Sequence, residues 1–167
     1  MRPRFAAIPG ARVFAVRKDT GATVWVTQAD HHPSSFVTQS AALAGNLVIV
    51  GLASFEELHA AVIPGWDCCS FRGSVVALDK NTGEIQWRTY TAPEGFSGNA
   101  VWGSTPAIDH QRGQVIVATG NNYSAPDSFL DCVTAAGADA EAQRACLAPY
   151  PDNYFDAIVA MDLKTGA

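Results

Sequence analysis

Charge is scarce in this sequence. Asp, Glu, Lys and Arg make up 16% of its 167 residues, and the balance is acidic, with a formal net charge of −5. Without a cationic excess there is little to neutralise phosphates, which argues against nucleic acid or an anionic membrane as the main partner. Long apolar runs are also missing: no stretch approaches the roughly 20 residues that cross a bilayer as a helix. The opening residues, Met1-Arg2-Pro3-Arg4-Phe5-Ala6, have no apolar stretch behind their arginines and do not read as a secretory leader. Either a leader has been removed or the chain begins inside a larger protein. Cysteine is limited to Cys68, Cys69, Cys132 and Cys146, with no C-x2-C pair of the kind that marks a zinc site. No G-x-S-x-G, P-loop or dinucleotide fingerprint is present.

Hydrophobic residues, by contrast, reach 48%, so the chain has enough apolar material to fold. Its organisation is repetitive. Ala15-Val16-Arg17-Lys18-Asp19-Thr20-Gly21 with Trp25, Ala77-Leu78-Asp79-Lys80-Asn81-Thr82-Gly83 with Trp87, and Ala160-Met161-Asp162-Leu163-Lys164-Thr165-Gly166 share one pattern. Self-similarity at such spacing marks a repeat architecture. The alanines are 62 and then 83 residues apart (77 − 15 and 160 − 77), so the second interval holds an insertion of roughly 20 residues. Short β-branched runs flank the repeats: Leu47 to Val50, Ser74 to Leu78, Gln114 to Thr119 and Ala157 to Met161. Separated by Gly, Asn and Asp turns, they predict antiparallel sheet. In the turn itself, Asp and Thr side chains bond nearby amides and Gly supplies positive φ. The tryptophan four residues later is suited to pack between sheets while its N–H finds a carbonyl. Arg17 replaces the turn aspartate in the first copy.

A strand-rich unit of about 60 residues fits four-stranded propeller blades. The expected fold is all-β, a fragment of about two blades. One complete blade runs from about Val37 to Arg88, between incomplete ones, with an inserted loop over about 127–156. Within that loop one short helix, about Ala138 to Leu147, is expected. An open β-sandwich is the alternative architecture. An even cysteine count, with Cys132 and Cys146 14 residues apart, favours disulfides and a periplasmic or secreted location over four cytosolic thiols.

The repeat resembles the tryptophan-docking motif of the quinoprotein alcohol dehydrogenases, eight-bladed propellers that hold pyrroloquinoline quinone. Cys68-Cys69-Ser70-Phe71-Arg72-Gly73, Trp102-Gly103-Ser104-Thr105-Pro106 and Thr119-Gly120-Asn121-Asn122-Tyr123 are similar to the polyvinyl-alcohol dehydrogenase branch. Non-catalytic propellers, outer-membrane assembly factors among them, share the docking repeat, so a binding propeller without cofactor is the second reading.

The resemblance implies roles for five residues. Trp102 would be the flat apolar floor under the quinone, or else a core tryptophan. Asn121 would offer its amide oxygen to a calcium ion, or else serve only as a turn residue. Thr38 would hydrogen-bond the quinone's carboxylates, or else be a plain strand threonine. Cys68 and Cys69 would form a vicinal disulfide against the cofactor, or else remain ordinary thiols. Joined by a trans peptide, their Cα atoms would be about 3.8 Å apart, below the usual disulfide range of about 4.4–6.8 Å. Such strain tends to collect at functional sites. Aligning Arg72-Gly73 with methanol-dehydrogenase-like members puts Cys68 where they carry a calcium-binding glutamate, which allows an enzyme of the same fold without calcium. The family's catalytic aspartate would lie beyond Ala167, so no residue here is assigned as the base. The implied substrate is a secondary alcohol or hydroxylated polymer, with cytochrome c as electron acceptor. The remaining polar candidates read as structural. His31-His32 sits in a solvated loop, His59 and His110 are isolated, and Glu56-Glu57 marks a solvated turn.

Overall fold

The computed structural model of the chain describes residues 3–8, 10–103 and 105–167. Three antiparallel sheets follow one another along the sequence. The first contains β1 (Pro3–Ile8), β2 (Arg12–Arg17) and β3 (Thr23–Gln28) in that order. The second is a meander of β5 (Ala42–Ala44), β6 (Leu47–Ser54), β7 (Ser74–Asp79) and β8 (Ile85–Tyr90), and β4 (Ser35–Phe36) pairs with the far end of β6. The third contains β10 (Ala107–Asp109), β11 (Gln114–Ala118) and β13 (Ile158–Asp162). A short ribbon of β9 (Ser97–Gly98) and β12 (Asn122–Ser124) joins the second and third. Helices are few: α1 (Glu56–Val62), α2 (Asp127–Ala136) and α3 (Ala140–Cys146).

The period-two alternation of the middle sheet builds two cores. Side chains of a strand point alternately to opposite faces. Val50, Leu52, Val76 and Leu78 therefore pack with Val13, Ala15 and Trp25 of the first sheet. Ile49, Val75 and Ala77 turn the other way, toward Val115, Val117, Val159 and Met161 of the third. Covered on both faces, β6 and β7 read as near-continuous apolar runs, whereas β13, with one face outward, alternates. Three sheets stacked in series over two cores match propeller blades rather than the two sheets of a sandwich.

The docking motif behaves as its chemistry requires. Trp25 Nε1 donates to Lys80 O at 3.1 Å, and Trp87 Nε1 donates to Leu163 O at 3.2 Å. Each tryptophan thus reaches the turn of the next copy, and each is only 8% exposed. Two residues on, Thr27 and Thr89 repeat the link, donating to Gly83 O and Gly166 O, each at 2.6 Å. The turn aspartates hold their loops: Asp79 accepts from the amides of Asn81 and Thr82, and Asp162 from those of Lys164 and Thr165. Those donors pull both carboxyls below the usual carboxylate range.

The insertion departs from expectation. It holds two helices, not one: α2 precedes α3, and only α3 matches the expected segment. Boundary signals for α2 were present in the sequence, with Pro126 before it and Gly137, at positive φ, after it. Asp139 caps α3 by accepting from the amides of Glu141 and Ala142. A Cys132–Cys146 disulfide ties the helices together, with Cα atoms 5.9 Å apart. Phe129 and Tyr150 pin the insertion to Phe96, at centroid distances of 5.2 and 4.8 Å.

Candidate functional site

Among the sequence-predicted residues, Asn121 meets α1 through Glu57 and Cys69 meets β12 through Ser124, where β6 gives way to α1 and β11 to β12. Ser54, the last residue of β6, accepts the Glu56 amide on its hydroxyl and starts the helix. Glu56 then turns inward and is 1% exposed. Its carboxylate accepts from the amides of Ser70 and Phe71, both at 2.8 Å, and from the Ser70 hydroxyl at 3.2 Å. Glu56 therefore braces the chain that directly follows the cysteine pair. This corrects the reading of Glu56-Glu57 as a solvated turn, because one member of the pair is fully buried.

His32 is corrected as well. It is half-buried, with Nε2 3.3 Å from Glu56 and 3.1 Å from the Ser70 hydroxyl. Its Nδ1 accepts from the Ser34 amide, so the ring proton sits on Nε2. Ser70, His32 and Glu56 are therefore not a nucleophile–base–orienter set: such a set needs serine and carboxylate on opposite ring nitrogens.

Glu57 points outward. Its Oε1 accepts from Asn121 Nδ2 at 3.3 Å, which joins α1 to the loop before β12. A carboxylate thus stands beside Asn121, although the alignment through Arg72-Gly73 placed Cys68 at the glutamate position. Tyr123, two residues further, has a buried hydroxyl with no partner among the described residues. Burial pushes its phenol up, and the charges of Glu57 and Glu56 add to the effect. The phenol stays neutral. The oxygens are hard: the Glu57 carboxylate, which here accepts from Asn121 Nδ2, the Asn121 amide oxygen and the Tyr123 phenol. They suit an oxygen-seeking cation such as calcium. No cluster of three or more His, Cys, Asp or Glu lies among the described residues, so this chain would supply only part of a coordination shell.

Cys68 and Cys69 form a disulfide, and the peptide between them is cis, with Cα atoms 3.0 Å apart. This replaces the trans geometry expected from sequence. Cys69 O accepts from the Ser124 hydroxyl at 3.2 Å, which places the pair against β12. Trp102 is 38% exposed, unlike the docking tryptophans. Its indole lies on Gly120, where an added Cβ would come within 3.0 Å of Nε1, and Phe36 meets the ring edge-on at 5.9 Å. Trp102 is therefore an open aromatic surface one residue from the Asn121 loop. Thr38 is exposed between buried Val37 and buried Gln39. Sequence reasoning missed Glu57, Tyr123 and Gln39. A charged pair ending a buried strand was the available signal for Glu57, and no local pattern marks the other two.

A family model described as outer membrane protein assembly factor BamB, PQQ_2, matches residues 5–145. The chain belongs to this family. Among curated relatives, the PQQ_2 chain is 35% identical over 159 residues to a polyvinylalcohol dehydrogenase of Sphingopyxis sp. strain 113P3, covering 85% of this chain and 24% of the relative. It is 34% identical over 125 residues to a polyvinylalcohol dehydrogenase of Pseudomonas sp., covering 66% and 19%. The chain therefore spans about a quarter or less of the length of these relatives. Among solved structures, the quinohemoprotein alcohol dehydrogenase ADHIIG of Pseudomonas putida HK5 superposes with a TM-score of 0.67 at 21% identity, over 97% of this chain and 24% of that one. The resemblance read from the repeats thus holds, and the shared fold is that of the quinoprotein dehydrogenases.

Proposed function

We propose that this chain forms the cofactor-floor segment, about two blades, of an eight-bladed quinoprotein alcohol dehydrogenase. The parent would act on secondary alcohols or hydroxylated polymers, as the names of its relatives suggest. The observation that carries this reading is Trp102: an indole left open while the docking tryptophans Trp25 and Trp87 are buried, backed by Gly120 and next to Asn121. A docking propeller has no need of such a surface, whereas a flat conjugated ligand does. When bound, pyrroloquinoline quinone supplies the two-electron acceptor for alcohol oxidation, chemistry that no side chain offers.

The chain's own residues bind and orient. Trp102 gives the floor, Thr38 a hydroxyl for the carboxylates, and the Cys68–Cys69 disulfide a second apolar surface. The oxygens of Asn121 and Glu57 suit a calcium ion. The base that accepts the alcohol proton would be an aspartate outside these residues, so the isolated segment would be inactive. Cytochrome c would take the electrons, and the location would be periplasmic. No helix among the described residues is long and apolar enough to cross a membrane.

A second reading, a binding propeller without cofactor, is favoured by the family description and by the docking repeat, which needs no ligand to close. Alcohol-dependent reduction of a redox dye by the full-length gene product, with quinone and calcium present, separates the two. Turnover that requires added quinone supports the enzyme. Absence of both turnover and bound quinone supports the binding propeller.

A further inference from the structure

We propose that Gln39 is the positioning residue for Trp102 and sets the plane of the aromatic floor. Gln39 follows β4, is 6% exposed and sits beside the exposed Thr38. Its Nε2 donates to two successive carbonyls, Val101 O at 3.2 Å and Trp102 O at 3.3 Å. Both partners are pure acceptors, which fixes the amide one way round: flipped, it would set its oxygen against two other oxygens. Its Oε1 is consequently buried without a donor among the described residues.

A buried, half-satisfied amide is a poor choice for stability alone, since the orphaned oxygen has lost its hydration without return. The neighbouring backbone makes room for it nonetheless. At Gly51 of β6, an added Cβ would collide with the side chains of both Gln39 and Val101. Val101 N donates to Leu52 O at 2.9 Å, so the main chain entering Trp102 is bonded to the second sheet through both its amide and its carbonyl. Phe36, three residues before Gln39, meets the edge of the indole. One short segment of the second sheet thus holds the backbone and one edge of a tryptophan whose face stays open.

An exposed indole with a free backbone would sample several planes, and each would have to be frozen out on binding a flat ligand. Fixing the backbone beforehand removes that cost. The placement has a second consequence. The stretch after β4 buries Gln39 and leaves Thr38 exposed beside it, so the hold on the floor and the hydroxyl come from one stretch of chain. The identity of the flat ligand rests on the quinone reading above; the hold on Trp102 does not.

The test uses the full-length gene product with Gln39→Met and Gln39→Glu, and Trp102→Phe as the subtraction that isolates Trp102 emission. Acrylamide quenching of Trp102 is read without ligand, and affinity for pyrroloquinoline quinone is read by titration. Gln39→Met should raise quenching about twofold and weaken quinone binding roughly tenfold, the equivalent of one lost hydrogen bond. Gln39→Glu should bind well only at low pH. Burial raises such a carboxyl; protonated it donates to a carbonyl as the amide does, and ionised it faces two carbonyl oxygens, so affinity should fall as pH rises. A merely structural side chain would not produce that pH profile at constant fold. Unchanged quenching and affinity in Gln39→Met, or a flat pH profile in Gln39→Glu where the wild type binds quinone, would overturn the proposal. Altered Trp102 quenching in a protein that binds no quinone at any pH would uphold the positioning role and overturn the quinone reading.

Discussion

Replacing Gly83 by alanine isolates what the docking tryptophan contributes. Gly83 has φ of +78°, and a Cβ there would lie 2.6 Å from Trp25 Cδ2 and 2.7 Å from Thr27 Oγ1. Neither neighbour gives way cheaply, because Trp25 is held by Lys80 O and Thr27 by Gly83 O itself. Left-handed backbone costs a non-glycine residue about 1–2 kcal/mol. Forcing a methyl group into a packed contact costs a further 1–3 kcal/mol or so. The stiffer unfolded chain returns about 0.4–1 kcal/mol. The expected net loss is about 1–4.5 kcal/mol, of which the contact accounts for about 1–3. Gly21 is the internal control: its φ is +72°, but an added Cβ would meet nothing within 4 Å. Gly21→Ala should therefore cost only about 1 kcal/mol, the backbone part alone. Urea denaturation of the full-length protein, followed by tryptophan emission, measures both, and Gly166→Ala should behave like Gly83→Ala. If Gly83→Ala and Gly21→Ala agree within about 0.5 kcal/mol, the tryptophan–glycine contact does not hold the sheets together and the reasoning fails.

Other consequences can be measured on the same protein. Cys132→Ser should loosen the insertion by about 3 kcal/mol for a loop of this size, seen as faster proteolysis within residues 127–156, since α2 has no buried residue. Glu57→Gln should weaken calcium at least tenfold by isothermal titration, whereas Glu84→Gln, in an exposed turn, should not. The Asp79 and Asp162 carboxyls are held below their ordinary value by loop amides. Their stabilising effect is complete above the unfolded value near 3.8 and disappears as pH falls through the lower folded values. Melting temperature should thus be level down to about pH 5 and drop below about pH 4, and Asp79→Asn should shrink that drop.

The docking turns were readable because each is local. Asp79, Thr82, Gly83 and Trp87 carry their geometry within nine residues, and what they bind is another copy of the same turn. The strands of the stacked sheets followed from short β-branched runs such as Leu47 to Val50 and Ser74 to Leu78. Trp102 and Asn121 came from family resemblance, since an open indole and a core indole look alike in sequence. Glu56 and Glu57 could not be separated without the fold: one turns inward to cap Ser70 and Phe71, the next reaches Asn121, 64 residues away. Gln39 and Tyr123 were invisible for a related reason. What distinguishes them is an unpartnered buried atom, and that depends on everything packed around it. The second helix of the insertion was bracketed by Pro126 and Gly137, and only the alanine-rich half was read as helical.

Equilibrium dialysis of the full-length protein against pyrroloquinoline quinone and calcium, beside its Trp102→Ala variant, tests the central claim most directly. The account predicts one quinone retained per chain with its bound absorbance band, and at least tenfold weaker binding in the variant for the loss of the aromatic floor. Stoichiometric binding that ignores Trp102, or no binding by the wild type, would contradict it.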